Sequence, residues 1–559
     1  MPASIQGLLA GCDRFRTLEE HEQECSRRLG LSGPARSEMA AVLAQLAAQG
    51  LLVSRRKAME ILEGSVDPSP PGRISAVGIP TADRPTLLRR ALRSYVHNAR
   101  DHGRTPLFIV VDDSRSRAAQ VANRTCVSEL RRQRHQVLYV GHSERARFAR
   151  SLARRTGIDP RVLQFALLPG ERHAVTTGAA RNALLLLTMG RLSMQVDDDT
   201  VPETARPTNS ETDNTLSLSS LPPPYITRFD SWEALRRLAE DTDVLAVHER
   251  LLGRSISQCV RDRTFTRLRA DDIDGLFLRL AQSGARVRAT VIGAIGDSGT
   301  TTSAYTLLRT ADEYRASLLA SDAVYRLATV ARRSMRIVDS FTISHTPQCV
   351  SMGLGLDGTS ALPPFLPVAR SQESLFGVLL YLANGYLGMI PRAILHRPTE
   401  ARAAPSVGRD VAPLSVANHV VRLIRTLSII PGGDLASTLR ASGTHLSAIG
   451  SYTDGLFEET VSRETRGEIA RRLARTRTLL EGTPPSAPAL YKTHLRQAAK
   501  ALERALAAPM IPVHDLPAQV FPRPLSELRD LIGRLGDLLK CWPDVISAAA
   551  EYEPSQFGS

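Results

Sequence analysis

The stretch that most restricts the fold is LFIVVDDS, residues 107–114, an unbroken apolar run that ends in two aspartates, Asp112 and Asp113. A strand with one wet face alternates polar and apolar residues; a run without alternation belongs to a strand covered on both faces in a parallel sheet. Its neighbours repeat the theme. ISAVGIP (74–80) predicts a strand ending at Pro80, and TLLRRALRSYVHNARDHG places Leu87, Leu88, Ala91, Leu92, Tyr95 and Val96 at helical spacing. A polar helix follows, then QVLYV (136–140) as a third strand. Strands and helices in alternation, with acids at strand ends, predict an α/β chain with a doubly wound, mostly parallel, Rossmann-like sheet. Its ligand would sit at the carboxyl ends of the strands.

The stretch with the most chemistry is GAARNALLLLTMGRLSMQVDDDTVP, Gly178–Pro202. It reads as a helix over roughly Ala179–Met189, a break at Gly190, and a strand over Leu192–Val196 leading into Asp197, Asp198 and Asp199. In a strand successive side chains point to opposite faces, so Asp197 and Asp199 project together while Asp198 points away. Two carboxylates side by side make a hard-oxygen site suited to Mg²⁺ or Mn²⁺, with phosphate oxygens completing the shell. Taken alone, an acidic triplet is more often a solvated turn.

Bulk properties narrow the class. At 559 residues, two or three domains are expected, and 43% hydrophobic with 23% charged residues is an ordinary globular composition. There is no apolar run long enough to span a bilayer, no basic start of a signal peptide and no CxxC among the six cysteines. A cytoplasmic protein is expected. The formal charge of +14 is almost all arginine, spread along the chain; lysine occurs only at Lys57, Lys492, Lys500 and Lys540, and aromatics are 5%. That pattern lacks the basic, aromatic-laced stripe of a nucleic-acid groove, so no nucleic-acid partner is expected. An anionic ligand such as a nucleotide remains compatible.

The expected division is a helical unit (1–65), a Pro/Gly-rich linker around VDPSPPG (66–73), an α/β domain (74–400) and a helical region (401–559). In the first unit Thr17 and Glu20 have capping-box spacing, and Met39, Val42, Leu43 and Leu46 fall on one helical face that stops at Gly50. The order of CDRFRTLEE and LAQLAAQGLLVS resembles the helical part of PqqD-like peptide-chaperone domains, which implies a peptide partner. A generic helical cap needs no ligand.

VGIPTADRPTLLRRALRSY, FIVVDDS, GAARNALL and QVDDDT follow one another over about 125 residues. In this order they resemble the nucleotide-sugar half of GT-A glycosyltransferases of the family-2 type. Those share a first strand ending in Pro-Thr, an Asp-Asp-x-Ser turn, a Gly-x-x-Arg-Asn helix and a DxD. The resemblance implies that Asp112 or Asp113 meets the nucleoside and that Pro80, Arg181, Asn182 and Asp198 border the nucleotide. It casts Asp197 and Asp199 as ligands of a Mn²⁺ or Mg²⁺ ion against the diphosphate, with His396 of PRAILHRP as a late histidine completing the shell. It also implies an acid at the start of a helix under the acceptor pocket, the general base of inverting members. Glu373, after the rigid LPPFLP segment and Arg370, fits; the family usually shows Glu-Asp or Gln-Asp where this chain has Gln372-Glu373. A carboxylate in a first turn also simply suits the helix dipole.

Other features carry less. The polar segment Glu203–Tyr225 reads as a mobile lid, GAIGDSG (293–299) lacks the Lys-Ser/Thr of a phosphate loop, and His248, Glu249 and Asp297 read as surface or loop-capping groups rather than acceptor contacts. The amphipathic helices beyond residue 405 show no catalytic constellation. The resulting expectation is a metal-dependent, inverting glycosyltransferase with a nucleotide-sugar donor, a UDP-sugar first, and a hydroxyl acceptor on a peptide or a glycan. The rivals are an inactive nucleotide- or peptide-binding module and, third, a nucleotidyltransferase, whose glycine-rich loop PTADRP does not supply.

Overall fold

The computed structural model describes residues 12, 15–64, 72–168, 170, 172–207, 212–220, 226–228, 230–297, 315–316, 318–329, 333–397, 407, 411–427, 433–508, 513–517 and 519–552. Within them fourteen strands join one sheet. The first seven are β1 (Ile74–Thr81), β2 (Leu107–Asp112), β3 (Val137–Val140), β4 (Leu192–Val196), β5 (Thr200–Ala205), β6 (Thr215–Ser219) and β7 (Ile226–Arg228). The others are β8 (Glu240–Asp241), β9 (Arg267–Asp272), β10 (Val287–Asp297), β11 (Arg333–Ile337), β12 (Phe341–Ser344), β13 (Gly353–Asp357) and β14 (Tyr386–His396).

The main path runs β3-β2-β1-β4-β13-β10-β14-β12-β6-β9, and six of its nine neighbour pairs are parallel. The α/β reading holds, with β13 inserted antiparallel between β4 and β10. The chain steps from β1 to β2 to β3 in one direction, then returns to place β4 on the other side of β1. Winding reverses there, and at such a reversal the flanking connections part and leave a crevice beyond the strands' carboxyl ends. Thr81 and Asp197 stand at that crevice, one at the end of β1 and one just past β4.

The helix Thr177–Leu187 is buried at ten of its residues because apolar material covers it all round. The segment Leu362–Ala369 covers one side, close enough that a Cβ on Gly178 would lie 1.7 Å from the Leu366 carbonyl oxygen. That segment hangs in turn from the helix Pro524–Ala550, whose buried Trp542 donates Nε1–H to the Leu362 carbonyl at 2.9 Å. The same helix meets Leu435–Gly450 through glycine: Gly450 lies on Gly533, and a Cβ on Gly536 would come within 2.4 Å of the Ser447 nitrogen. Residues of both helices share one core with β2, β3 and the helix Thr177–Leu187.

The N-terminal unit contains helices Leu18–Leu29, Pro34–Ala48 and Arg55–Glu63. Thr17 and Glu20 form the expected box, at 3.1 and 2.8 Å. Met39, Leu43 and Leu46 are buried with Cys25, but Val42 is 39% exposed. The stripe runs i, i+4, i+7 from Met39, and Val42 lies a full step of about 100° off Leu43. The third helix, not expected, sends Ala58 and Leu62 into the core of the sheet domain. Residues 65–71, with most of the expected linker, lie outside the described ones. Part of the segment read as a lid is β6, paired with β12 and β9: TLSLS alternates and takes a place in the sheet. Among the described residues no helix is long and apolar enough to cross a membrane.

Gly178→Ala is expected to lower the melting temperature by several degrees, since overpacking costs about 1–3 kcal/mol. Gly455→Ala, with open space at a helical position, should be neutral or stabilising by up to about 1 kcal/mol. Thermal melts of the two variants side by side check this.

Candidate functional site

The three aspartates do not continue β4. The strand stops at Val196, and the Thr200 N–H and hydroxyl both bond back to the Asp197 carbonyl, at 3.2 and 2.8 Å. The chain thereby turns into β5, which pairs with β14 instead of following β1. Alternation along a strand therefore does not decide which way Asp197, Asp198 and Asp199 point. Asp197 bonds Arg181, while Asp198 and Asp199 both face Arg84.

Asp197 accepts from Arg181 Nη2 at 2.5 Å. Asp198 accepts from Thr81 Oγ1 at 2.7 Å and faces Arg84 Nη1 at 3.5 Å. Asp199 faces His396 Nε2 at 3.1 Å and the same Arg84 nitrogen at 3.6 Å. His396 arrives because β14 runs antiparallel to β5 with His396 opposite Thr200. It is 3% exposed, and its Nδ1 is buried without a hydrogen-bond partner. Behind the turn, Arg397 N–H and Arg90 Nη2 donate to the Asp199 carbonyl at 2.8 and 3.4 Å. Burial, reinforced by Asp199, pushes the Asp198 carboxyl up to about 7. Burial also raises Asp197, while Arg181 pulls it down. Among the described residues no group of three or more His, Cys, Asp or Glu side chains is arranged to hold a metal ion. Asp199 and His396 converge at 3.1 Å, and the charges of both act on Asp197.

Arg181 is the floor of this arrangement. Fully buried, it donates to Asp197, to Gln195 Oε1 at 3.1 Å and to the Ser351 carbonyl at 2.9 Å. Its charge also acts on Glu373, in the first turn of the helix Gln372–Leu382. Burial raises the Glu373 carboxyl, Arg181 draws it back, and Asp197 pushes it up again. The backbone before that acid is strained: Ala369 and Ser371 hold φ of 75° and 60°, left-handed values that non-glycine residues seldom adopt.

Asn182, expected with Arg181 beside a nucleotide, is enclosed as well. Its amide bonds the Phe365 nitrogen and carbonyl, at 2.7 and 3.0 Å, and the Ala166 carbonyl at 3.2 Å. Both side chains of the Arg-Asn pair support the site from below. Pro80 is buried within β1, one residue before Thr81.

At the end of β2 the two acids part. Asp112 is 1% exposed and fully used by Ser114 N, Asn123 Nδ2 and the Tyr139 hydroxyl, at 2.9, 2.9 and 2.7 Å. Asp113 is partly open and accepts from His142 Nε2 at 2.9 Å, from Arg145 and from Thr176. Burial alone would raise it, but His142, Arg145 and Thr176 bring it to about 2. Asp83, left-handed at φ 54°, ties the β1 loop to the β2 loop by accepting from the nitrogens of Arg115 and Ser116, at 3.3 and 2.9 Å.

His248 and Glu249 lie elsewhere. His248 is buried on Thr290 Oγ1 at 2.7 Å, and burial lowers it to about 3. Glu249 binds Arg104 and the Ile74 nitrogen, at the amino end of β1. Asp297 ends β10, and most of the segment after it lies outside the described residues. A cavity of ≈ 560 Å³ lined by Lys57, Glu60, Ser255 and Arg286 contains none of the site residues. Sequence reasoning missed Thr81, Arg84 and His142 as site members. Thr81 ends β1, and Arg84 and His142 stand just beyond the ends of β1 and β3; Thr81 and Arg84 lie within a segment already marked as a motif. Compared with known proteins, the chain matches no family model, and no curated protein matches its sequence.

Arg181→Met should destabilise the protein by about 3 kcal/mol or more, because it strands the acceptors that the guanidinium satisfies. Adding Asp197→Leu should restore part of the loss, so a double-mutant cycle of denaturation midpoints is expected to show non-additivity. For Asp113, a native pKa below the usual carboxylate value of about 4 means stability present above pH 4 and lost as pH falls through about 2. Asp113→Asn is expected to flatten that acid limb in melts taken across pH 2–5.

Proposed function

We propose that the chain is a GT-A-type glycosyltransferase that moves a sugar from a nucleotide-diphosphate donor, a UDP-sugar first, to a hydroxyl acceptor with inversion. The observation that carries the reading is the meeting of Asp199, in the turn after β4, with His396, the last residue of β14, at the sheet's reversal point, with Glu373 sharing the field of Arg181. Mg²⁺ and Mn²⁺ need only one or two side chains when waters and substrate phosphates supply the rest. Asp199 and His396 are two such donors, and the buried, unpartnered Nδ1 leaves the imidazole with hydrogen-bonding capacity in hand. The donor set therefore fits a divalent ion through these two side chains. Bound there, an ion would neutralise charge developing on the leaving diphosphate.

The chain's own groups do the remaining work in this reading. Glu373, its carboxyl raised by burial, accepts the proton of the attacking hydroxyl. Arg181 keeps that acid from being pushed too far toward its neutral form and bonds Asp197. Asp113 and His142, at the ends of β2 and β3, meet the nucleoside. The N-terminal helices favour a peptide acceptor over a glycan, on their resemblance alone, and the setting is cytoplasmic.

A nucleotide-binding module without turnover is the second reading, favoured by Arg84 standing over Asp198 and Asp199. Calorimetric titration of UDP, GDP and their sugars, with and without Mn²⁺, decides. Metal-dependent binding of one nucleotide, weakened at least about tenfold in Asp199→Ala, is expected; no binding of any nucleotide sinks the proposal. Binding without sugar transfer to any hydroxyl, water included, supports the second reading.

A further inference from the structure

The segment Arg172–Thr176 has no task in that mechanism, yet it touches two sides of the site. The Thr176 hydroxyl donates to Asp113, just past β2, and the Val175 carbonyl accepts the Ala369 N–H at 3.0 Å, at the strained backbone ahead of Glu373. Arg115, in the loop after β2, donates Nη2–H to the His173 carbonyl at 2.6 Å. The segment is thus a strap that joins the β2 loop to the residues preceding Glu373.

The strap rests in turn on the helix Pro524–Ala550 and the residues just before it. The His173 side chain is 11% exposed, and its ring stacks on Phe521 with centroids 5.4 Å apart. Its Nε2 stands 3.6 Å from Glu527 Oε1, and Arg172 Nη1 stands 3.9 Å from Glu527 Oε2. Both separations exceed the about 2.7–2.9 Å of a charge-assisted hydrogen bond. The hold is therefore a largely enclosed ring packed on an aromatic face, beside a carboxylate it does not bond.

Such a hold depends on the ring being neutral. The charged groups facing it are Arg172 from its own segment, Arg115 from the β2 loop, and Glu527, Asp530 and Arg534 from the helix. An imidazolium there would meet three guanidinium groups and two carboxylates, one of which Arg172 already shares. Burial, Arg534, Arg172 and Arg115 hold the ring below its ordinary value of 6.5, with Asp530 opposing them. The neutral ring belongs to the folded strap, so its stability is present at neutral pH and is lost as pH falls below about 6.5.

We propose that His173 is an acid-released latch: protonation of its imidazole frees the segment Arg172–Thr176 from the helix Pro524–Ala550, and Asp113 and Ala369 lose the strap they share. The latch does not rest on the glycosyltransferase reading.

The test is hydrogen exchange of the full chain at pH 7.5 and 5.5, followed by mass spectrometry over residues 172–180 and 365–372. Protection is taken relative to the free-peptide rate at each pH. In the wild type both segments are expected to lose protection together at pH 5.5, by up to about tenfold per pH unit, the slope that one proton sets. Asp113, at about 2, does not titrate in this window. His173→Phe keeps the stack and cannot charge, so it should hold its protection at both pH values. His173→Gln, equally uncharged, repeats the comparison, and thermal melts check that both variants fold. Equal wild-type protection at the two pH values overturns the latch. A gain at pH 5.5, the mark of an imidazolium seated on Glu527, overturns it as well. The same loss in wild type and both variants places the proton elsewhere and also overturns it. Loss confined to 172–180, with 365–372 unchanged, overturns the strap to Ala369.

Discussion

A guanidinium sealed from water is tolerated only where acceptors surround it, and the site depends on one such group, Arg181. Gln195 from β4, Asp197 from the following turn and the carbonyl of Ser351 ahead of β13 all converge on it. Three parts of the chain are thus fixed about a single charge, and Glu373 stands in its field from a fourth.

The rest of the site follows from where strands end. The reversal of winding beside β1 opens the crevice, β1 delivers Thr81, the turn after β4 delivers the aspartates, and β14 brings His396. Below, Asn182 and the missing side chain of Gly178 allow Leu362–Ala369 to lie against the helix Thr177–Leu187, and this sets where Glu373 begins its own helix. Glu373 is thus positioned by close packing several residues away.

What the sequence made legible was local and periodic. LFIVVDD could be little else than a buried strand, ISAVGIP and QVLYV ended within a residue of β1 and β3, and Thr17 with Glu20 announced a helix start. What stayed hidden was decided by distant partners. Nothing in SMQVDDDT says that the chain turns at Asp197, because the turn is stabilised by β5 pairing with β14, far along the chain. His396 was marked, but its approach to Asp199 needed that same pairing. The Arg-Asn pair was legible as a motif, yet its place under the site was not, since burial depends on Phe365 and Ser351.

The tether from Trp542 to Leu362 has a consequence in time. A ribosome makes Glu373 long before it makes residues 524–550, and at ~5–20 residues per second the delay is on the order of ten seconds or more. During that interval the elbow at Ala369–Ser371 lacks the helix it hangs from, and β2, β3 and the helix Thr177–Leu187 lack part of the core they share with it. Glu373 is made early and fixed late, so the segment around it waits on the helix Pro524–Ala550.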